Sequence, residues 1–273
     1  MTTTQDARHL APGALISDGL RLAVATFTVA PLRPRAVERH RGNIAISLAP
    51  YFGLALGAVT GLLVVGLNHV IDSPFVVAMI SVGVLAALTR GRPLDGLAGT
   101  VDALGIRDRE RAFGVLRRPA IGALGGAAVI LAVVIQAACL SALALNPVTL
   151  TATWRVVASL AAAAGAGRLA ATLACRRGVP AARPDGLGAM FADGVGWLEI
   201  AFGLVAVGVV SIFVVPARAW QGPVVVAVAL AATVALTAFV RHRLGGITVA
   251  MLGACIELAT TGCLVGFLIR SPY

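Results

Sequence analysis

The sequence predicts an all-α fold: a polytopic membrane helical bundle with about seven spanning helices and a short interfacial or re-entrant N-terminal helix. Two observations carry this reading. Hydrophobic residues make up 59% of the 273-residue chain and charged residues 12%, and the mean hydropathy is +0.93, far outside the range of a soluble domain. The apolar runs are long, continuous and rich in Ala, Leu, Val and Gly, whereas a transmembrane barrel would show alternating segments of about ten residues. Residues 1–273 are expected to form one integral membrane domain. The first 19 residues are polar, with Asp6, Arg8, His9 and Asp18, so no cleavable signal peptide is expected and the first spans direct insertion themselves.

Leu20 to Phe27 is an apolar run that ends at Pro31 and Pro34 and is too short to span, which makes it the interfacial helix. Asn43 to Ile71 is the first full span; Gly53, Gly57 and Gly61 recur along it at four-residue spacing, which lets another helix approach closely. Pro74 opens a shorter run, Phe75 to Leu88, and a polar stretch, Thr89 to Gly105, follows it. Arg107 to Arg118, with its Asp108-Arg109-Glu110-Arg111 core, suits an exposed cytoplasmic helix. Ile121 to Leu145 and Val148 to Cys175 are joined by a tight turn at Asn146 and Pro147, and a second polar loop runs from Arg176 to Gly196. Trp197 to Val215, Val224 to Val240 and Ile247 to Ile269 complete the set, with Trp197 and Trp220 where interfacial aromatics belong. Cys139, Cys175, Cys255 and Cys263 show no paired short spacing, so neither a zinc site nor a disulfide framework is expected.

The net charge of +10 comes entirely from arginine, because the chain has no lysine. In so apolar a chain this is the positive-inside bias rather than a nucleic-acid surface, and no nucleic-acid partner is expected. The N-terminal segment holds six arginines, the central loop seven, the loop after Cys175 three and the hinge before the last span two. The opposite side keeps Arg218 and Arg270. The expected topology is therefore multi-pass in the cell membrane, with the N-terminus and every polar loop cytoplasmic and the C-terminus outside. A site built on that side meets soluble phosphorylated metabolites while an apolar partner stays in the lipid bilayer.

Asp95 and Asp102 are the acids of the central stretch. Seven residues apart on a helix, they share one face and stand about 10 Å apart along its axis, too far for one ion to bridge. Gly99 occupies the middle position, where a carboxylate would close the gap. The pair is a candidate metal or phosphate site, and a solvated loop is the alternative. Arg155 and Arg168 fall within apolar runs. Arg155 is placed to snorkel to the outer surface, whereas Arg168 at membrane depth needs a partner, water or a phosphate. Glu257, midway along the last run, reads as a functional acid or as a group hydrogen-bonded to a neighbouring helix.

Several of these segments together resemble one family, the cobalamin synthases or adenosylcobinamide-GDP ribazoletransferases, in the form seen in actinobacteria. Thr89 to Leu104 aligns without a gap to the family motif Thr-Arg-Gly-Leu-His-Leu-Asp-Gly-Leu-Ala-Asp-Thr-Ala-Asp-Gly-Leu. Asp108 to Arg111 with Ile121-Gly122-Ala123 is similar to the next block, and Ala182 to Gly188 is similar to the loop Ala-Arg-Pro-Glu-Gly-Leu-Gly. Arg243 to Thr248, Leu252 to Ala254 and Ile256 to Leu258 resemble the C-terminal signature. The blocks stand in the family's order over nearly the whole chain.

The resemblance implies a membrane transferase of the last stage of cobalamin assembly. Alpha-ribazole, or its 5'-phosphate, is joined to adenosylcobinamide-GDP and GMP leaves, with Mg2+ as the ion. It implies Asp95, Asp102 and Glu257 as catalytic residues, Asp95 and Asp102 as the metal ligands, and Arg90, Arg183 and Arg243 as binders of substrate phosphate, a set that Arg168 joins because of its place at membrane depth. The chain departs from the family pattern at Pro93 (a histidine), Gly99 (the middle aspartate), Arg118 and Ala120 (an acid and an arginine), and Val249-Ala250 (Gly-Asp). Two readings follow: a divergent working transferase, or a catalytically impaired member acting as a membrane binding or assembly partner. A small-molecule transporter is the third class. Glycine-spaced helix faces permit a homo-oligomer or association with other cobalamin-assembly membrane proteins.

Overall fold

The computed structural model describes residues 21–24, 39–117, 120–144, 150–184 and 187–269. It is helical throughout, with α1 (Arg39–Leu67), α2 (Pro74–Leu88), α3 (Arg92–Leu104), α4 (Arg109–Leu116), α5 (Ala123–Ala144), α6 (Leu150–Ala174), α7 (Trp197–Ile212), α8 (Gln221–Leu244) and α9 (Val249–Leu268). Of the interfacial helix expected at Leu20 to Phe27, residues 21–24 are described; they are helical, and Leu22 and Ala23 pack on Ala45 of α1. The turn expected at Asn146 and Pro147, and residues Arg118 and Arg270, lie outside the described residues.

The centre of the bundle is α6. Its apolar window is 89% buried, against 33% for those of α5 and α8, and its Ala161 to Gly165 run explains why. Lipid tails are as apolar as leucine, so helices in a bilayer associate by close van der Waals packing, which small residues allow. The Gly53, Gly57 and Gly61 stripe of α1 meets α6 as the spacing predicts. A Cβ at Gly53 or Gly57 would run into the carbonyl of Ala164 or Leu160, and one at Gly61 would lie 2.7 Å from Val157 Cα. That stripe is consumed inside the chain and is not a surface for a second copy. Several hydroxyls within the spans bond to carbonyls: Thr60 to Leu56 at 2.7 Å, Ser81 to Val77 at 2.8 Å, and Thr172 across to Ile46 of α1 at 2.8 Å.

By length and composition five helices, α1, α5, α6, α8 and α9, suffice to cross a membrane, and a sixth is counted if α2 and α3 form one bent span. The expectation of about seven also rested on α2 and α7, of 15 and 16 residues. At about 1.5 Å per residue each covers roughly 22 to 24 Å, short of the ~30 Å hydrocarbon layer. Five or six spans, rather than about seven, are thus supported, and contacts at the two ends give the direction in which α7 runs along the bundle. At one end Gln221, opening α8, donates to the carbonyl of Ile269 at 2.7 Å, and Arg155 of α6 donates to Val214, just past α7, at 3.4 Å. At the other end Ile247 pairs with the segment after α6: its N–H reaches Pro180 O and its carbonyl accepts from Ala182 N–H, each at 2.9 Å. Since α8 runs from the first end to the second, α7 runs the opposite way. The arginine-rich loops thus meet at one end of the bundle, with Trp197 exposed there and Trp154 and Trp220 exposed at the far end.

Replacing Gly57 with alanine is expected to cost about 1–3 kcal/mol by forcing α1 off α6. Gly66→Ala, where nothing lies within 4 Å, serves as the neutral control. Melting temperatures of the detergent-solubilised variants measure the difference.

Candidate functional site

The polar stretch forms a corner. The axis turns through 88° between α2 and α3, and Arg90 and Gly91 make that turn with φ of 55° and 65°. Glycine adopts this left-handed conformation freely, and it closes α2 by donating from its N–H to Ala86 O at 2.7 Å. Pro93, standing where the family has histidine, lies in the first turn of α3, where a missing N–H costs nothing. From there α3 lies across the polar end with Pro93, Gly96, Ala98, Thr100 and Ala103 buried.

Three contacts hold α3. Its backbone touches α9 through paired glycines: a Cβ at Gly96 would lie 2.8 Å from Gly253 Cα, and one at Gly253 would lie 2.9 Å from Gly96 Cα. Asp102 accepts the N–H groups of Gly122 and Gly125 on its two carboxylate oxygens, at 2.6 and 2.8 Å, and so caps the start of α5. A Cβ at Gly122 would stand 2.5 Å from Asp102 Oδ1, and one at Gly125 would also strike the carboxylate. Arg243 donates to the carbonyls of Ile106 at 2.9 Å and Leu104 at 3.5 Å, closing the C-terminal end of α3 beside Asp102.

The expected site residues therefore divide. Asp95 is exposed in the first turn of α3 and makes no side-chain hydrogen bond or ion pair among the described residues. Asp102 and Arg243, expected to hold metal and phosphate, are bonded to helix termini. Arg183 stacks on Phe113 of α4 at 5.2 Å, and Arg109 takes the same ring at 5.7 Å. Arg90 is exposed at the corner.

Arg168 and Glu257 come together inside the bundle, 3% and 9% exposed. They line a cavity of about 20 Å³ with Gln136, Thr260, Thr89 and Leu94, directly beneath the corner, and Gln136 Nε2 donates to Glu257 at 2.7 Å and to Thr261 at 2.9 Å. Glu257 is thus hydrogen-bonded to a neighbouring helix. Sequence reasoning passed over Gln136, whose signal was a lone amide within an apolar run. It also passed over Gly122 and Gly125, whose spacing matches the two bonds from Asp102.

The middle of the Asp95 to Asp102 face is open. A Cβ at Gly99 would meet Ala250 Cβ and Leu116 Cδ2 at ordinary contact, 3.7 Å each. Two of the three positions that depart from the family's acids, 99 and 250, thus face one another. Among the described residues no three His, Cys, Asp or Glu side chains converge as a metal cluster would.

An all-α membrane protein with its polar motifs gathered on a short helix across one end is the class this architecture defines. The chain belongs to the cobalamin-5-phosphate synthase family, whose model matches residues 19–268. An adenosylcobinamide-GDP ribazoletransferase of Frankia casuarinae is 36% identical over 270 residues, covering 92% of this chain and 95% of that one. Proteins of the same description from Nocardioides sp. and Escherichia coli are 32% and 36% identical, over 93% and 77% of this chain and 99% and 81% of their own. No solved structure matches the chain.

Asp102→Ala is expected to lower stability by about 2 kcal/mol, since it leaves two helix-start N–H groups without their acceptor. Asp102→Asn keeps one acceptor oxygen and is expected to lose less. Thermal unfolding in detergent, read by intrinsic fluorescence, ranks the two.

Proposed function

We propose that the protein is an adenosylcobinamide-GDP ribazoletransferase, joining alpha-ribazole or its 5'-phosphate to adenosylcobinamide-GDP with release of GMP. The observation that carries this is Asp95, an exposed carboxylate without a partner among the described residues, on a helix held by the Gly96–Gly253 contact and at its C-terminal end, in a chain that matches ribazoletransferases over most of its length. In the reaction a ribazole hydroxyl forms a new O–P bond to the phosphate borne by the cobinamide. The pyrophosphate P–O bond breaks, GMP departs, and the hydroxyl sheds its proton. Such transfers demand little covalent chemistry from the protein and much positioning and charge neutralisation.

Asp95 is the acid available to receive that proton or to orient the hydroxyl. Arg90 at the corner and Arg183 on the Phe113 ring are the cations proposed to meet phosphate, whereas Arg243 and Asp102 act by holding α3 still. Glu257 and Arg168 support the corner from within and reach the reaction through Thr89 and Leu94. The donor set fits a Mg2+ ion held mainly by substrate phosphate oxygens, with Asp95 as its protein ligand, where it would neutralise charge on the departing GMP. The arginine-rich loops at that end support a cytoplasmic orientation, and the exposed apolar side chains of α5, α7 and α8 support lipid contact.

A second reading, a member with weakened turnover serving as a binding partner, draws on the facing pair Gly99 and Ala250, where the family pattern has two acids. GMP release by purified protein given adenosylcobinamide-GDP, alpha-ribazole and magnesium distinguishes them. Metal-dependent release, reduced at least about a hundredfold by Asp95→Ala, is the outcome expected of the first reading. Substrate binding without release from folded protein supports the second.

Gly99→Asp should fold normally, given the open space beside it, and should lower the magnesium concentration for half-maximal release by roughly tenfold, about 1.4 kcal/mol. An unchanged magnesium titration would show that position 99 does not face the ion.

A further inference from the structure

A second basic feature lies on the other side of α8. Residues 241 and 243 are about 200° apart around a helix, so while Arg243 reaches toward α3, Arg241 points the opposite way. There Arg176, Arg241 and His242 line an open cleft of about 400 Å³ with Val179, Thr237 and Ala238. The cleft lies where the ends of two spanning helices, α6 and α8, come together. Arg176 enters it from just past α6, sixty-five residues earlier in the chain than Arg241.

Three observations set this cleft apart from a solvated basic face. First, no acidic residue lines it. Asp193 lines the adjoining cleft of about 600 Å³, which shares Arg241, but its Oδ1 is engaged by the N–H of Gly178 at 2.6 Å. Second, the side chains of Arg241 and His242 make no hydrogen bond or ion pair among the described residues. Arg176 spends one nitrogen on Leu173 O at 3.0 Å and keeps the rest of its guanidinium available. Third, Thr237 and Ala238 continue the wall up α8, so an anion among the cations would sit at the mouth of a furrow that leads toward the apolar layer.

We propose that this cleft binds a phosphate group, carried by an anionic lipid headgroup or by a soluble phosphate ester. Guanidinium groups pair with phosphate oxygens in two-pronged fashion, and basic pockets between membrane helices take headgroup phosphates. The site stands apart from α3 and does not depend on the reaction proposed there.

The test uses the full-length protein in detergent. Native mass spectrometry reads retained phosphatidylglycerol against phosphatidylcholine, and thermal shift reads a titration with inorganic phosphate. The Arg241→Gln/His242→Gln double variant is compared with wild type and with Arg107→Gln/Arg111→Gln, which removes charge from exposed positions elsewhere. Arg241→Lys/His242→Lys keeps charge in the cleft and checks that loss of binding is not loss of fold. If phosphatidylglycerol retention falls in the glutamine variant by roughly fivefold or more, while the control and lysine variants retain it, the site is established with a lipid source. If instead only the shift with phosphate is lost, the source is soluble. Equal behaviour of glutamine variant and wild type in both assays, or equal loss in the control, overturns the proposal.

Discussion

A short helix at the end of a membrane bundle has no bilayer around it to fix its depth or rotation, and Asp102 supplies what the bilayer does not. Its carboxylate binds the first N–H groups of α5 at 2.6 and 2.8 Å, so the end of α3 is pinned to the start of a spanning helix. The bond needs glycine at both partners, since a Cβ at Gly122 or Gly125 would occupy the space of the carboxylate. Arg243 completes the arrangement by closing the exposed carbonyls of α3 from α8. The two charges act at helix termini of opposite polarity, an acid on an N-terminus and a base on a C-terminus, and each is stabilised by the local dipole. The rotation of α3 and the outward aim of Asp95 both follow from that anchoring.

Beneath α3 the bundle meets a second constraint. Charges at membrane depth are costly unless they meet one another or a polar partner. Arg168 on α6, Glu257 on α9 and Gln136 on α5 satisfy it jointly, around a cavity of about 20 Å³ that has room for about one water molecule. Thr260, whose hydroxyl is buried without a protein partner, lines the same cavity. The cluster ties three helices together at the level where Thr89 and Leu94 turn the chain. Within it Gln136 bonds to Glu257 and Thr261, and Arg168 donates to Ala164 O of its own helix.

Much of this was legible in the residues. The apolar runs fall where the helices are, the glycine stripe of α1 packs as its spacing requires, and the arginine-rich loops gather at one end. What escaped was information carried by contacts between distant segments. Nothing local in Asp102 distinguishes a metal ligand from a cap, because its partners lie twenty and twenty-three residues on. The seven-residue interval places both acids on one helix, yet Asp102 is bonded to the start of α5 while Asp95 is exposed. Hydropathy also counts a run as apolar without saying whether it is long enough, so α2 and α7 read as spans like the rest. End contacts, not composition, reveal the direction in which α7 runs.

The facing of Gly99 and Ala250 gives the departures from the family pattern a common physical cause. Aspartates at both positions would bring two like charges into contact range beside Asp95 and Asp102, tolerable only with a cation or a proton shared between them. Losing one acid would weaken any ion there and leave the other without compensation; losing both removes the repulsion together with the need for the ion. The two positions lie 151 residues apart in sequence, yet across the α3 to α9 contact they form one site. Small uncharged residues at both positions leave that contact free of charge, with Asp95 exposed on the same helix.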